Sequence, residues 1–75
     1  MISQKLQDAI NEQIVAEIWS AHLYLSMAFY FDKEGFNGFA NWMKKQSNEE
    51  MEHAYTMADY IIKRGGIAKV GEIGS

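Results

Sequence analysis

Proline is absent from all 75 residues, and glycine falls in only three places: Gly35 with Gly38, Gly65 with Gly66, and Gly71 with Gly74. Between these clusters nothing breaks a helix, so the chain divides into two long uninterrupted stretches and a short tail. The first runs from about residue 4 to 34 and is rich in Ala, Leu, Gln, Glu and Met, which favour helix. Ser3 is placed to cap its start, and Gly35 to supply the left-handed residue at its end. Asn37 is expected to cap the second helix, from about 38 to 64, where Lys63 and Arg64 complement the dipole before Gly65-Gly66. Each helix is roughly 40–45 Å long at 1.5 Å per residue. Such helices lie side by side, as in a bundle or coiled coil, and a connector this short makes them antiparallel. The expected fold is all-α: an antiparallel helical hairpin over residues 1–66, then a tail over 67–75 that reads as a loop leading onward.

A chain of this size has a marginal core of its own and needs support from disulfides, a metal or partner chains. With no cysteine, disulfides and thiolate metal sites are excluded. The net charge of −3 gives no basic footprint for nucleic acid or for an anionic membrane surface. Residues Ser3 to Gln13 are polar and mixed, unlike the apolar core of a signal peptide. The most apolar stretch, Ala21 to Phe31, is too short to span a bilayer and is interrupted by His22 and Ser26. The expectation is a cytoplasmic protein that binds neither nucleic acid nor membrane.

On the first helix one face carries Leu6, Ile10, Ile14, Ala21, Tyr24, Ala28 and Phe31. Glu17 falls in the middle of it. The comparable stripe on the second helix is Phe39, Met43, Ser47, Ala54, Met57 and Ile61, with Glu50 and His53 inside it at i and i+3. Unpartnered buried carboxylates cost several kcal/mol each, by order of magnitude, so these interruptions call for an explanation. Counted from the connector at 1.5 Å per residue, Glu17 stands roughly 28 Å along its helix, and Glu50 and His53 roughly 21 and 26 Å along theirs. All three therefore meet at nearly one level. Two carboxylates and an imidazole, with no thiolate to prefer zinc, suit iron or manganese.

Other residues on these helices have plainer readings. Glu-x-x-His alone arises by chance in many helices and is usually solvated; the matching height of Glu17 is what favours a metal site. His22 lies off the Glu17 face and reads as a packed or interfacial histidine. Tyr24, two turns from Glu17 on its face, is either a core tyrosine or a hydroxyl that hydrogen-bonds a ligand or bridging oxygen. The remaining aromatics and methionines read as core or subunit-contact residues. Glu52 rotates into solvent, while Glu49 is a boundary position able to hold an outer ion.

The sequences INEQIVAEIWSAHLYLSMAFYF and GFANWMKKQSNEEMEHAYTMADYIIKRGG resemble the first two helices of bacterial non-heme ferritins, in register as well as content. A glutamate plus Glu-x-x-His is the ligand pattern of ferritin-like di-iron bundles. The resemblance implies half of a ferritin-like four-helix bundle and a shell-forming subunit that oxidises Fe(II) at a di-iron centre with O₂ or peroxide and stores the ferric product. It further implies Glu17 as the first-helix ligand, Glu50 as the bridging carboxylate, His53 as the nitrogen ligand and Tyr24 as the tyrosine beside the centre. Glu49 matches a ligand of the family's outer iron site. Family subunits are about twice as long, and their third and fourth helices supply the second iron's carboxylates. Two hairpins of this chain are expected to make up that difference as a homodimer or higher homo-oligomer. Two other classes remain: a helical assembly module without turnover, and a rubrerythrin-like peroxide reductase, against which the missing cysteines count.

Overall fold

The computed structural model describes residues 1–73; the last two residues of the expected tail, Gly74 and Ser75, lie outside them. Two helices, α1 (Gln4–Lys33) and α2 (Asn37–Lys63), pack antiparallel as a hairpin about 50 Å long. Ser3 caps α1 as expected, its hydroxyl accepting from the Leu6 N–H at 3.2 Å. Gly35 takes φ +87° in the connector, a conformation open to glycine at little cost. Asn37 does not cap α2. Phe36 stands at the cap position without a side-chain bond, and Asn37 is already helical. The shift follows from the connector, where the Phe36 N–H is drawn to the Phe31 carbonyl and its ring packs edge-on against Phe31.

The helices touch through small residues. Ala21, Ala28, Ala40 and Ala54 are buried at the contact, which lets the backbones approach closely. Ser47 uses that proximity to donate its hydroxyl to the Ala21 carbonyl at 2.8 Å. Ile14, Ile18, Ala54 and Ile61 form the core cluster, and Ile61 is the one large side chain buried completely among the described residues. The buried face of α1 is therefore Asn11, Ile14, Ile18, Ala21 and Ala28. Leu6 and Phe39, placed in the stripes on sequence, remain largely exposed, and Tyr24 and Phe31 are half-buried. The stripe read on α1 spans two adjacent faces, one against α2 and one open.

Asn11 was not anticipated. Only 6% exposed, it holds the tail with both ends of its amide: Nδ2 donates to the Ile67 carbonyl and Oδ1 accepts from the Lys69 N–H, each at 3.0 Å. The Gln7 side chain accepts from the Ile67 N–H. The segment after Gly66 thus folds back along α1, with Ala68 and Ile73 against the core. Gly66 is where this return is tightest: a Cβ there would stand 2.8 Å from Ile61 Cγ2 and 2.7 Å from Gln7 Oε1. Gln7 can move, but the enclosed Ile61 cannot. Gly66→Ala is expected to destabilise the chain by about 1–3 kcal/mol, the range for overpacking, read as a lowered midpoint in urea denaturation.

By length and composition alone α1 also qualifies as a membrane span, a property missed when only Ala21–Phe31 was weighed. The core helix of a packed bundle meets the same criterion, and the buried Asn11 and half-buried Glu17 suit that setting.

Candidate metal centre

Glu17 projects from the side of α1 next to its contact with α2, and Glu50 and His53 project from the same side of α2. The i, i+3 spacing puts the latter two on one face, and the antiparallel pairing brings Glu17 level with them. One ligand atom from each lies within 4.8 Å of the other two. His53 Nδ1 is 3.6 Å from Glu17 Oε2 and 3.8 Å from Glu50 Oε1. The two carboxylates are largely shielded, at 14% and 22% side-chain exposure, whereas the imidazole is 57% exposed. The group opens to one side of the hairpin.

The other sequence candidates fall around it. Glu49 is half-buried and outside the trio, though its charge reaches Glu50. Tyr24 is half-buried further along α1 and is likewise not among the three grouped residues. His22 is exposed in a separate shallow groove with Leu25, Ser26 and Phe29. Gln13 is the residue that sequence reasoning missed: its Nε2 donates to Glu17 Oε1 at 3.2 Å. The i, i+4 relation between a glutamine and the candidate ligand was the available signal.

The two carboxyls do not titrate alike. Their mutual hydrogen bond is the leading cause in both: it holds Glu17 below the ordinary value of 4.5 and pushes Glu50 above it. Burial opposes the lowering at Glu17 and adds to the rise at Glu50, while Gln13 and His53 help hold Glu17 down. Glu50 thus keeps its proton to a higher pH than Glu17 does. Two carboxylates held this close repel one another when both are ionised, and a cation between them relieves that repulsion.

The sign of the pH dependence follows by linkage. The contribution of Glu50 is complete below the ordinary glutamate pKa and fades as pH rises through its raised value. That of Glu17 is complete above the ordinary pKa and fades as pH falls through its lowered value. Their sum is greatest between the two, around the ordinary glutamate value. Thermal melts in chelator, followed by circular dichroism, are expected to show this maximum, and Glu50→Gln to flatten its alkaline side.

Comparison with known proteins identifies the family of the hairpin. The Ferritin profile, described as a ferritin-like domain, matches residues 7–75. A bacterial non-heme ferritin of Bacteroides fragilis is 78% identical over 73 residues, covering 97% of this chain and 46% of that protein. The chain belongs to the ferritin family. Another bacterial non-heme ferritin, from Staphylococcus epidermidis, is 46% identical over 65 residues, covering 87% of this chain and 39% of its own length. Among solved structures, a closed form of the Archaeoglobus fulgidus ferritin engineered by site-directed mutagenesis superposes with a TM-score of 0.94 at 51% identity. The superposition covers 100% of this chain and 46% of that one. The all-α hairpin is thus a ferritin fold element, and the chain spans about half the length of the curated relatives it matches.

Proposed function

We propose that this chain binds Fe(II) through Glu17, Glu50 and His53 and takes part in its oxidation to Fe(III) and its storage. The observation that carries this reading is the convergence of two shielded carboxylates and an imidazole from both helices. The donor set suits the ion: hard oxygens favour Fe(III) over Fe(II), and one imidazole keeps the site receptive to Fe(II). Iron is the substrate here. Two Fe(II) ions give one electron each to O₂, which with two protons leaves as hydrogen peroxide; with peroxide as oxidant, two protons and two electrons give two waters.

The chain's own residues bind and position iron. Glu17 and Glu50 bind the cation in their ionised forms. Gln13 fixes the rotamer of Glu17 by its hydrogen bond, the kind of outer partner that tunes a ligand. His53, the most exposed of the three, stands at the open side, where iron enters. Glu49 stands beside the group as an outer ligand, and Tyr24 as the neighbouring hydroxyl. We assign residues 1–66 to the hairpin unit and 67–75 to the start of a crossover, and place the protein in the cytoplasm as a homo-oligomer.

The test is an anaerobic Fe(II) titration of the metal-free chain, then admission of air with near-ultraviolet absorbance and oxygen consumption followed together. Saturation near one iron per chain with rapid oxidation supports the reading. A second reading, an assembly module without turnover, is favoured by the exposed Trp19, Phe29, Phe39 and Trp42; protein that associates but neither saturates with iron nor consumes oxygen would establish it instead.

A further inference from the structure

We propose that the hairpin connector carries a self-modifying pair, Asn37–Gly38, independent of any iron binding. The Gly38 amide nitrogen cyclises onto the Asn37 side chain and converts it to aspartate and isoaspartate. Residue type selects this asparagine first. The chain has four, followed in turn by Glu12, Gly38, Trp42 and Glu49. Only behind Asn37 does the attacking nitrogen belong to a residue with no Cβ to crowd its approach.

Access selects the same position. Residues Asp32 to Phe39 form an unbroken exposed run, and a Cβ built on Gly38 would meet nothing within 4 Å. Gly38 is the second residue of α2, so its N–H has no carbonyl one turn back to bond. Asn11 is the opposite case: it is only 6% exposed, and both ends of its amide are bound to the tail at 3.0 Å. Asn41 and Asn48 are exposed, but the N–H groups that follow them belong to the helix interior and bond to carbonyls four residues back. Bringing the Gly38 nitrogen onto Asn37 Cγ requires Asn37 to leave its helical angles briefly, and the first turn of α2 is held weakly against that. Phe36 caps it without a side-chain bond, no acidic residue lies in it, and glycine is a poor helix former. The bond from the Ala40 N–H to the Phe36 carbonyl, 2.9 Å long, is the one that must open, and helix ends open at little cost.

The conversion balances with water alone. The Gly38 nitrogen gives up its proton and bonds to Asn37 Cγ, the Cγ–Nδ2 bond breaks, and ammonia leaves with that proton. Water then opens the cyclic imide. Addition at Cγ restores the ordinary peptide bond and leaves aspartate; addition at the main-chain carbonyl carbon leaves isoaspartate, with the backbone rerouted through the former side chain. Aspartate sets a negative charge where the dipole of α2 favours one. Isoaspartate instead lengthens the backbone by a methylene group where the chain turns between the helices.

Ageing the full chain in warm, mildly alkaline buffer tests the proposal, with peptide mapping by electron-transfer mass spectrometry to tell aspartate from isoaspartate. Residue 37 is expected to convert first and to both products, while Asn41 and Asn48 stay intact. Gly38→Ala should slow the conversion at least about tenfold by adding the Cβ that crowds the nitrogen. Gly38 is helical with open space around it, so this variant keeps the fold, which circular dichroism checks. Conversion of Asn41 or Asn48 ahead of Asn37, aspartate as the sole product, or a parent-like rate in folded Gly38→Ala would each overturn the inference. Conversion that begins only once urea has unfolded the chain would overturn it too.

Discussion

Glu17→Ala and His53→Ala are each expected to weaken Fe(II) binding about 100-fold or more and to abolish rapid oxidation, with little loss of helix. Changing even an outer partner of a metal ligand costs about 10–100-fold, so removing a ligand itself should cost at least the upper end of that range. Glu17 is the more telling of the two. It is the only member of the group contributed by α1, and its loss leaves Glu50 and His53 as an ordinary i, i+3 pair on one helix. The fold should survive, because Glu17 is not among the core residues and the alanine relieves carboxyl crowding. Gln13→Leu, which removes the hydrogen bond to Glu17 but no ligand, should fall between parent and ligand variants, at about tenfold weaker binding. Isothermal titration under nitrogen reads all three. Parent-like affinity in Glu17→Ala would show that iron, if it binds, binds elsewhere.

Ile61→Ala should be the most damaging single truncation of the core, costing about 2–5 kcal/mol. Ile61 has no exposed surface, and it links the Ile14–Ile18–Ala54 cluster to the turn where the tail begins. The backbone N–H groups of Arg64 and Gly66 both bond to its carbonyl. Stability in so small a core is a few kcal/mol at most, so this variant should be largely unfolded at room temperature without iron. If the metal reading holds, excess Fe(II) should recover part of its helicity, since a ligand that binds the folded state stabilises it by mass action. Circular dichroism at 222 nm with and without anaerobic Fe(II) measures both effects.

The helices were legible because proline and glycine are so sparingly placed, and the level of Glu17, Glu50 and His53 because helical rise is a fixed ruler. Which side of α1 meets α2 was harder to read. Leu6, Ile10, Tyr24 and Phe31 share an apolar stripe with Ile14, Ala21 and Ala28, yet only the last three are buried in the hairpin. A helix intended for a bundle has two neighbours to cover, and one periodic pattern does not say which residues serve which. Ile18 went unassigned for the same reason, sitting on the far edge of that stripe. The Asn11 clamp was hidden more deeply, since its partners are backbone groups some fifty-six to fifty-eight positions away. Asn37 looked like a cap by residue type, but the connector's own hydrogen bonds set the start of α2.

The path of the tail also governs what can be attached to this molecule. Clamped by Asn11, the chain runs beside Val15, where the Cβ position of Gly71 lies 3.7 Å from a Val15 methyl. Val15 and Glu17 are two residues apart on α1, about 200° around the helix axis, so they point to nearly opposite sides. A fluorophore attached at Glu72, beside Val15 and Gly71, therefore lies on the far side of α1 and leaves the carboxylates unobstructed. The N-terminus is bound instead to the hairpin's open end, where the Ile2 N–H donates to the Arg64 carbonyl.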